Sequence, residues 1–222
     1  MTSVGTGRRC PAAPGQAARV EFAEVVRRRR MVRDYDPDRP VPPEVRERLL
    51  AHAIRAPSAG FTQGWAFLVL EEPADRDLFW AVTASGGAPD AWLTRMRRAP
   101  LLVVPLSSKE AYLDRYAEPD KGWTDRDPES VAARWPVPWW DVDAGMAALM
   151  MLLTAVDEGL GACFFGVPAG RVDPLRDAFG VPGTHRPVGV VSVGYPGDGD
   201  RRSPSLRRGR RGVAEVVHRG RW

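Results

Sequence analysis

Residues 141–166, DVDAGMAALMMLLTAVDEGLGACFFG, decide how the rest of the chain is read. Between Ala144 and Val156 only Gly145 and Thr154 interrupt an apolar run, so a helix here is apolar on nearly every face and must be buried all round. At about 1.5 Å of rise per residue, the run is far shorter than the roughly 20 residues that cross a bilayer. It predicts a central core or dimer-interface helix and no membrane span. Asp141 or Asp143 is placed to cap its start, and Gly159 to take the left-handed conformation that ends it. Residues 160–167 then turn at Gly161, run briefly extended and meet a second breaker at Gly166. A buried helix delivering a small, glycine-flanked backbone edge suits a protein that holds a flat ligand against main-chain amides. A core helix followed by a core strand explains the same pattern.

On the N-terminal side, residues 21–30 read as a short helix ending in arginines, and 31–41 as a loop broken by Pro37 and Pro40. Pro42 and Pro43 open a helix over 44–56, whose apolar residues Val45, Leu49, Leu50, Ala53 and Ile54 keep the three-and-four spacing until Pro57 stops it. Residues 65–70 form an apolar run of strand length. Helices are expected over 74–84 and 89–98, flanking a turn at 85–87. A second strand follows over 100–106, which Pro105 puts near its end or at a sheet edge. Residues 107–140 read as a long irregular segment. Its four tryptophans argue against disorder and for a lid or an excursion onto a partner subunit. Past the central helix come a helix over 173–179, a strand over 187–194, a turn-rich linker, a basic knot at 207–212 and a strand candidate over 213–217. Strands alternating with helices give an α/β or α+β layered domain.

With 222 residues, of which 44% are apolar, the chain suffices for one well-buried domain. Its formal charge of +4 is uneven: residues 201–222 carry eight Arg and one Glu, leaving 24 basic against 27 acidic side chains before them. A nucleic-acid surface is the other reading of that tail, but the stretch is short and lacks aromatic interleaving. Two cysteines in unlike surroundings, Cys10 and Cys163, give no disulfide framework and point to a reducing, cytoplasmic setting. Residues 1–19, rich in Gly, Ala, Pro and Arg without an apolar core, are expected to be a disordered leader. There is no Gly-x-Ser-x-Gly, no His-Glu-x-x-His, no metal-ligand spacing and no Gly-x-Gly-x-x-Gly. What remains is arginines in number suited to a phosphate, a glycine-flanked backbone edge and an aromatic cover, which fits a bound flavin better than a side-chain acid or base.

Three stretches, RRRRMVRDYDPDRPVPPEVRERLLAHAIRAPSAGFTQGWAFLVL, DEGLGACFFGV with LRDAFGVPGTHRPVGVVSVGYPGD, and RRGRRGVAEVVHRGRW, occur in this order and resemble the nitroreductase-like flavoproteins. The resemblance implies a three-layer α+β domain over 20–222, with a central mixed β-sheet flanked by helices. It also implies a homodimer with FMN at the subunit interface and a C-terminal arm, 205–222, exchanged between subunits. Carried over residue by residue, Arg29, Arg30, Met31 and Arg33 would lie along the phosphate and ribityl chain, and Arg208 and Arg210 would close on the phosphate. Guanidinium groups suit that role because they meet a doubly charged phosphate with paired donors; a solvated helix end is the other reading of the first cluster. Pro57, Ser58 and Ala59 would border the ring, with Phe61 coming from the other subunit. Phe165 and Gly166 match the segment whose backbone N–H faces flavin N5.

Met31 stands where the family often has Ser, Phe61 where Asn is frequent, and Gly64 where Pro commonly precedes the Trp. The resulting expectation is an FMN-dependent oxidoreductase passing hydride from NADH or NADPH to an electron-poor aromatic or heteroaromatic acceptor of nitro or quinone type. Trp123, Trp135, Trp139 and Trp140 would wall the acceptor site, or form an aromatic core under the loop. The alternatives are an oxidase of a bound metabolite using oxygen, a flavin-fragmenting benzimidazole synthase-like activity suggested by Phe61, and a non-catalytic flavin-binding protein.

Overall fold

The apolar stretch at the centre of the chain folds as a 19-residue helix, Trp139–Asp157, in a computed structural model that describes residues 21–84 and 88–222. The expected leader at 1–19, Cys10 and the turn at 85–87 lie outside the described residues. The helix begins earlier than expected. Pro138, and neither aspartate, occupies the N-cap position, and the added turn brings in Trp139 and Trp140. It is therefore long and apolar enough to cross a bilayer by length and composition, contrary to the sequence reading, but half of that stretch is buried inside the fold. Burial is one-sided rather than complete: Ala144, Ala147, Ala148, Met151 and Ala155 are buried, whereas Leu149 is 47% exposed. Gly159, at φ +73, ends the helix as expected. The Leu160 N–H donates to the Ala155 carbonyl at 2.7 Å and the Gly159 N–H to Val156 at 3.1 Å, a Schellman closure.

In chain order the elements are α1 (Phe22–Arg28), α2 (Pro43–Ala53), β1 (Trp65–Leu70), α3 (Pro73–Thr83), α4 (Ala91–Met96), β2 (Leu101–Ser107), α5 (Lys109–Ala117) and α6 (Pro128–Arg134). The central helix α7 (Trp139–Asp157), β3 (Gly161–Phe165), α8 (Val172–Phe179), β4 (Arg186–Pro187), β5 (Val190–Gly194) and α9 (Val213–Val216) follow. The sheet runs β1-β2-β5-β3, with β4 paired beside β2. All these strand pairs are antiparallel, and the parallel element of the expected mixed sheet is an isolated bridge between Met31 and Ala162. Alternate residues of β2 face opposite layers. Leu101 and Val103 pack with α2 and α7, while Leu102, Val104 and Leu106 pack with Phe79 and Trp80 of α3, Met96 of α4 and Leu175 of α8. The result is three layers with the sheet in the middle, an α+β fold.

Three expectations are corrected and one is resolved. β2 is an interior strand, so of its two expected places Pro105 takes the one near the strand's end, where its backbone faces the gap between β4 and β5. Its carbonyl accepts from the Val188 N–H at 2.9 Å, and the ladder asks for no donor at that point. The strand expected over 187–194 is that interrupted pair, β4 and β5. Residues 107–140 are not irregular: Ser108 and Asp127 cap α5 and α6 with their side-chain oxygens. Residues 213–217, read as a strand, instead form the short helix α9, closed by the Glu215 carboxylate accepting from the Gly212 N–H at 2.7 Å.

Candidate functional site

The site is organised by β3. Residues 29–33 lie along its free edge: the Val32 N–H donates to the Ala162 carbonyl at 3.0 Å, and the Phe164 N–H to Met31 Sδ at 3.4 Å. This close approach needs a glycine, since a Cβ at Gly161 would stand 2.5–2.9 Å from the buried Val32 side chain. Met31 is thus turned onto the strand, its thioether accepting a backbone N–H. The neighbouring arginines are set at the sheet edge. Arg30 is paired with Asp200, whose side chain is 3% exposed and whose other oxygen accepts the Arg33 N–H at 2.9 Å. The side chains of Arg29, Arg33, Arg208 and Arg210 make no ion pair among the described residues. Arg208 and Arg210 stand on the exposed arm.

Behind this segment, Asp34 pairs with Arg98 at 2.9 Å. The fully buried Tyr35 hydroxyl donates to the Val32 carbonyl at 2.8 Å and lies 2.8 Å from Ser192 Oγ. Burial drives the Tyr35 phenol far above its ordinary pKa, so it stays neutral and serves as an anchor. Burial also raises the Cys163 thiol, against the opposing pull of nearby Arg33. A thiol kept protonated inside the strand is packing material.

At the C-terminal end of β3, Phe165 and Gly166 open onto a cavity of about 330 Å³ walled by Phe79, Trp80, Trp92 and Leu93. Phe165 stacks on Trp80 with centroids 5.7 Å apart, and Trp92 meets it edge-on at 5.6 Å. An apolar cavity of this size, beside backbone at a strand end, fits a flat ring system.

The loop after α2 is held from below. The Ala59 N–H donates to Asp143 at 3.0 Å, Arg115 Nε to the Gly60 carbonyl at 2.9 Å, and the Gln63 N–H to Ser58 Oγ at 3.0 Å. Pro57 is exposed, Ser58 and Ala59 are half-buried, and Phe61 is 75% exposed. Burial raises the pKa of Asp143 on α7, with the Ala59 N–H opposing. A carboxyl whose folded pKa exceeds its unfolded value costs stability above that range and releases the cost as pH falls through it. Asp143→Asn keeps an acceptor for Ala59 and removes the charge. It is expected to raise the melting temperature at pH 7, with the gain vanishing at acidic pH, as thermal denaturation across pH will show.

Trp123, Trp135 and Trp140 do not wall the aromatic cavity beside β3. They pack with Tyr112, Leu113, Tyr116 and Val131 as a satellite core that also touches Ala59. Trp139, at the start of α7, is 40% exposed. Asp141, expected as a cap, accepts from Ser107 Oγ at 2.6 Å and pairs with Arg186. Sequence reasoning missed Asp200, Asp143, Arg115, Trp80 and Trp92. The first three act through partners between 55 and 170 residues away, which no local pattern signals. Trp80 and Trp92 had a visible signal, an aromatic concentration in the two helices around 85–87.

The layers, the basic sheet edge and the aromatic cavity together define an α+β oxidoreductase scaffold. The model of the nitroreductase family matches residues 26–195, and the chain belongs to that family. A protein of Archaeoglobus fulgidus, provisionally named an NADH dehydrogenase/NAD(P)H nitroreductase, is 29% identical over 180 residues, covering 80% of this chain and 87% of its own. Among solved structures, one from Clostridium acetobutylicum, provisionally named an NADH oxidase, is 27% identical with a TM-score of 0.63, covering 89% of this chain and 99% of its own. A nitroreductase-like protein from Exiguobacterium sibiricum, solved with FMN, shares the fold at a TM-score of 0.66 and 20% identity, covering 91% of this chain and 98% of its own.

Proposed function

We propose that this chain is an FMN-dependent oxidoreductase that takes hydride from NADH or NADPH and passes it to an electron-poor aromatic or heteroaromatic acceptor, as a cytoplasmic homodimer with one catalytic domain over 20–222. The observation that carries the reading is a single strand, β3, that aligns the arginine segment 29–33 along its edge and ends at Phe165 and Gly166 on an aromatic cavity. Basic side chains at one part of a strand and a flat apolar slot at its end match the two halves of FMN, a phosphate and a ring.

On this reading Arg29 and Arg33 bind the phosphate, helped by Arg208 and Arg210 on the arm. Arg30, neutralised by Asp200, holds the segment in register. The Gly166 region presents backbone to the ring edge, and Phe79, Trp80 and Trp92 exclude water beside it. When bound, FMN supplies the hydride chemistry, so no side-chain acid or base is required. Homodimer formation is favoured by apolar groups left exposed on α1 and α7 and on the arm: Phe22 (71%), Leu149 (47%), Val213 (72%) and Trp222 (100%). The likeness to the Clostridium acetobutylicum protein supports oxygen as a competing acceptor.

An absorption spectrum taken before and after anaerobic NADH or NADPH tests the proposal. A flavin band that bleaches with either donor is expected. Colourless protein that takes up no FMN on reconstitution ends the reading, and a bound flavin that neither donor reduces favours an oxidase of a metabolite.

A further inference from the structure

The wall of the cavity at the end of β3 contains a polar group that the fold itself does not use. Trp80 lines that cavity and is 3% exposed, and its indole Nε1–H has no hydrogen-bond partner. Two other buried side-chain nitrogens share that condition among the described residues, Arg48 Nε and Arg176 Nε. Both belong to guanidinium groups already paired with carboxylates, Arg48 with Glu158 and Arg176 with Asp173. Trp80 has no such compensation. A buried indole N–H ordinarily finds an acceptor, and one left without it costs stability. Its ring neighbours offer none: Phe165 stacks on it with centroids 5.7 Å apart, and Phe79 and Trp92 meet it edge-on at 4.9 and 6.4 Å. The polar side chains of the same wall narrow the chemistry further. Thr83 Oγ1 donates to the Phe79 carbonyl at 2.6 Å, which occupies its hydrogen. The exposed Asp90 accepts the Leu93 N–H at 2.7 Å, and its charge disfavours an anionic group beside it. An apolar slot with one unused neutral donor and a carboxylate suits a neutral oxygen on a flat ring, and not a ring carboxylate or phosphate.

We infer that Trp80 is a ligand-binding residue whose indole N–H donates to a carbonyl oxygen on a flat conjugated ring held in this cavity. The ligand class rests on the functional reading above, under which two sources carry that chemistry, the ring carbonyls of the flavin and a quinone acceptor. Donation from Trp80 fixes the orientation of a ring that stacking against apolar walls would leave free to turn.

The test follows the indole N–H resonances of isotope-labelled protein, that of Trp80 being the one lost in Trp80→Phe. Lumiflavin, which has the ring without the phosphate, and FMN are added to apoprotein, and duroquinone to apoprotein and to FMN-loaded protein. A downfield shift of the Trp80 resonance is expected. A shift with the flavins identifies the cofactor as the source of the carbonyl, and a shift with duroquinone alone identifies the acceptor; either supports the inference. Benzothienylalanine in place of Trp80 removes the N–H at nearly constant volume. It should weaken binding of whichever compound moved the resonance by about tenfold, the scale of one hydrogen bond, without lowering the melting temperature of the empty protein. A resonance unmoved by all three compounds, or unchanged affinity in the isostere, overturns the inference and leaves the functional reading to stand on its flavin spectrum. Protein that takes up no FMN ends the functional reading; the inference then survives only through a shift with duroquinone, and without that shift it falls too.

Discussion

Replacing Arg29 and Arg33 together by Ala is expected to weaken FMN binding by about 100- to 1,000-fold, the loss of two charge-assisted contacts to a phosphate. Fluorescence titration of apoprotein with FMN measures it directly. The choice of residues matters. Arg30 is unsuitable, because its guanidinium neutralises Asp200, a nearly buried carboxylate. Removing Arg30 strands that charge inside the protein and destabilises the fold whatever the cofactor does. Arg29 and Arg33 make no ion pair among the described residues, so their removal breaks no salt bridge of the fold. Affinity for riboflavin, which has the ring but no phosphate, should change little in the same variant. A loss of FMN affinity below about threefold would place the phosphate elsewhere and remove the basis of the proposed function.

The second large effect is expected for Gly161→Ala. The added methyl would stand 2.5 Å from Val32 Cγ2 and 2.8 Å from Val32 Cβ. Val32 cannot yield: it is β-branched, 2% exposed, and fixed through its N–H to the Ala162 carbonyl. Overpacking of this kind costs about 1–3 kcal/mol, a fall in melting temperature of roughly 3–10 °C for a domain of this size. The displaced element is the arginine-bearing segment, so FMN affinity should fall alongside stability. Calorimetry and cofactor titration on one preparation separate the two. A variant with wild-type stability and affinity would show that residues 29–33 are not held by β3.

Where the sequence was informative, a local periodicity or a breaker carried the signal. The strand at Trp65–Leu70, the helix at the apolar stretch of α7 and the left-handed Gly159 are local facts of this kind. The family motif set the order of the arginine cluster and the Phe165–Gly166 segment along the chain, and β3 carries both, the first along its edge and the second at its end. Long-range pairing was not legible. Nothing near Asp200 announces Arg30, and nothing near Asp143 announces the Ala59 amide. Pro105 left two places open, a strand end or a sheet edge, and the first holds because the ladder lapses between β4 and β5 just where a donor is missing. The tryptophans at 123, 135 and 140 were open on composition to two readings, the wall of an acceptor site or an aromatic core under the loop. Their geometry makes them a packed core that touches Ala59.

The separateness of that cluster has an evolutionary consequence. Tyr112, Leu113, Val131 and Trp135 share a small core of their own, apart from the two layers that clasp the sheet. Substitutions there can accumulate without eroding the main scaffold. A lineage can in this way repack the segment around α5 and α6 while the layers that clasp the sheet stay as they were.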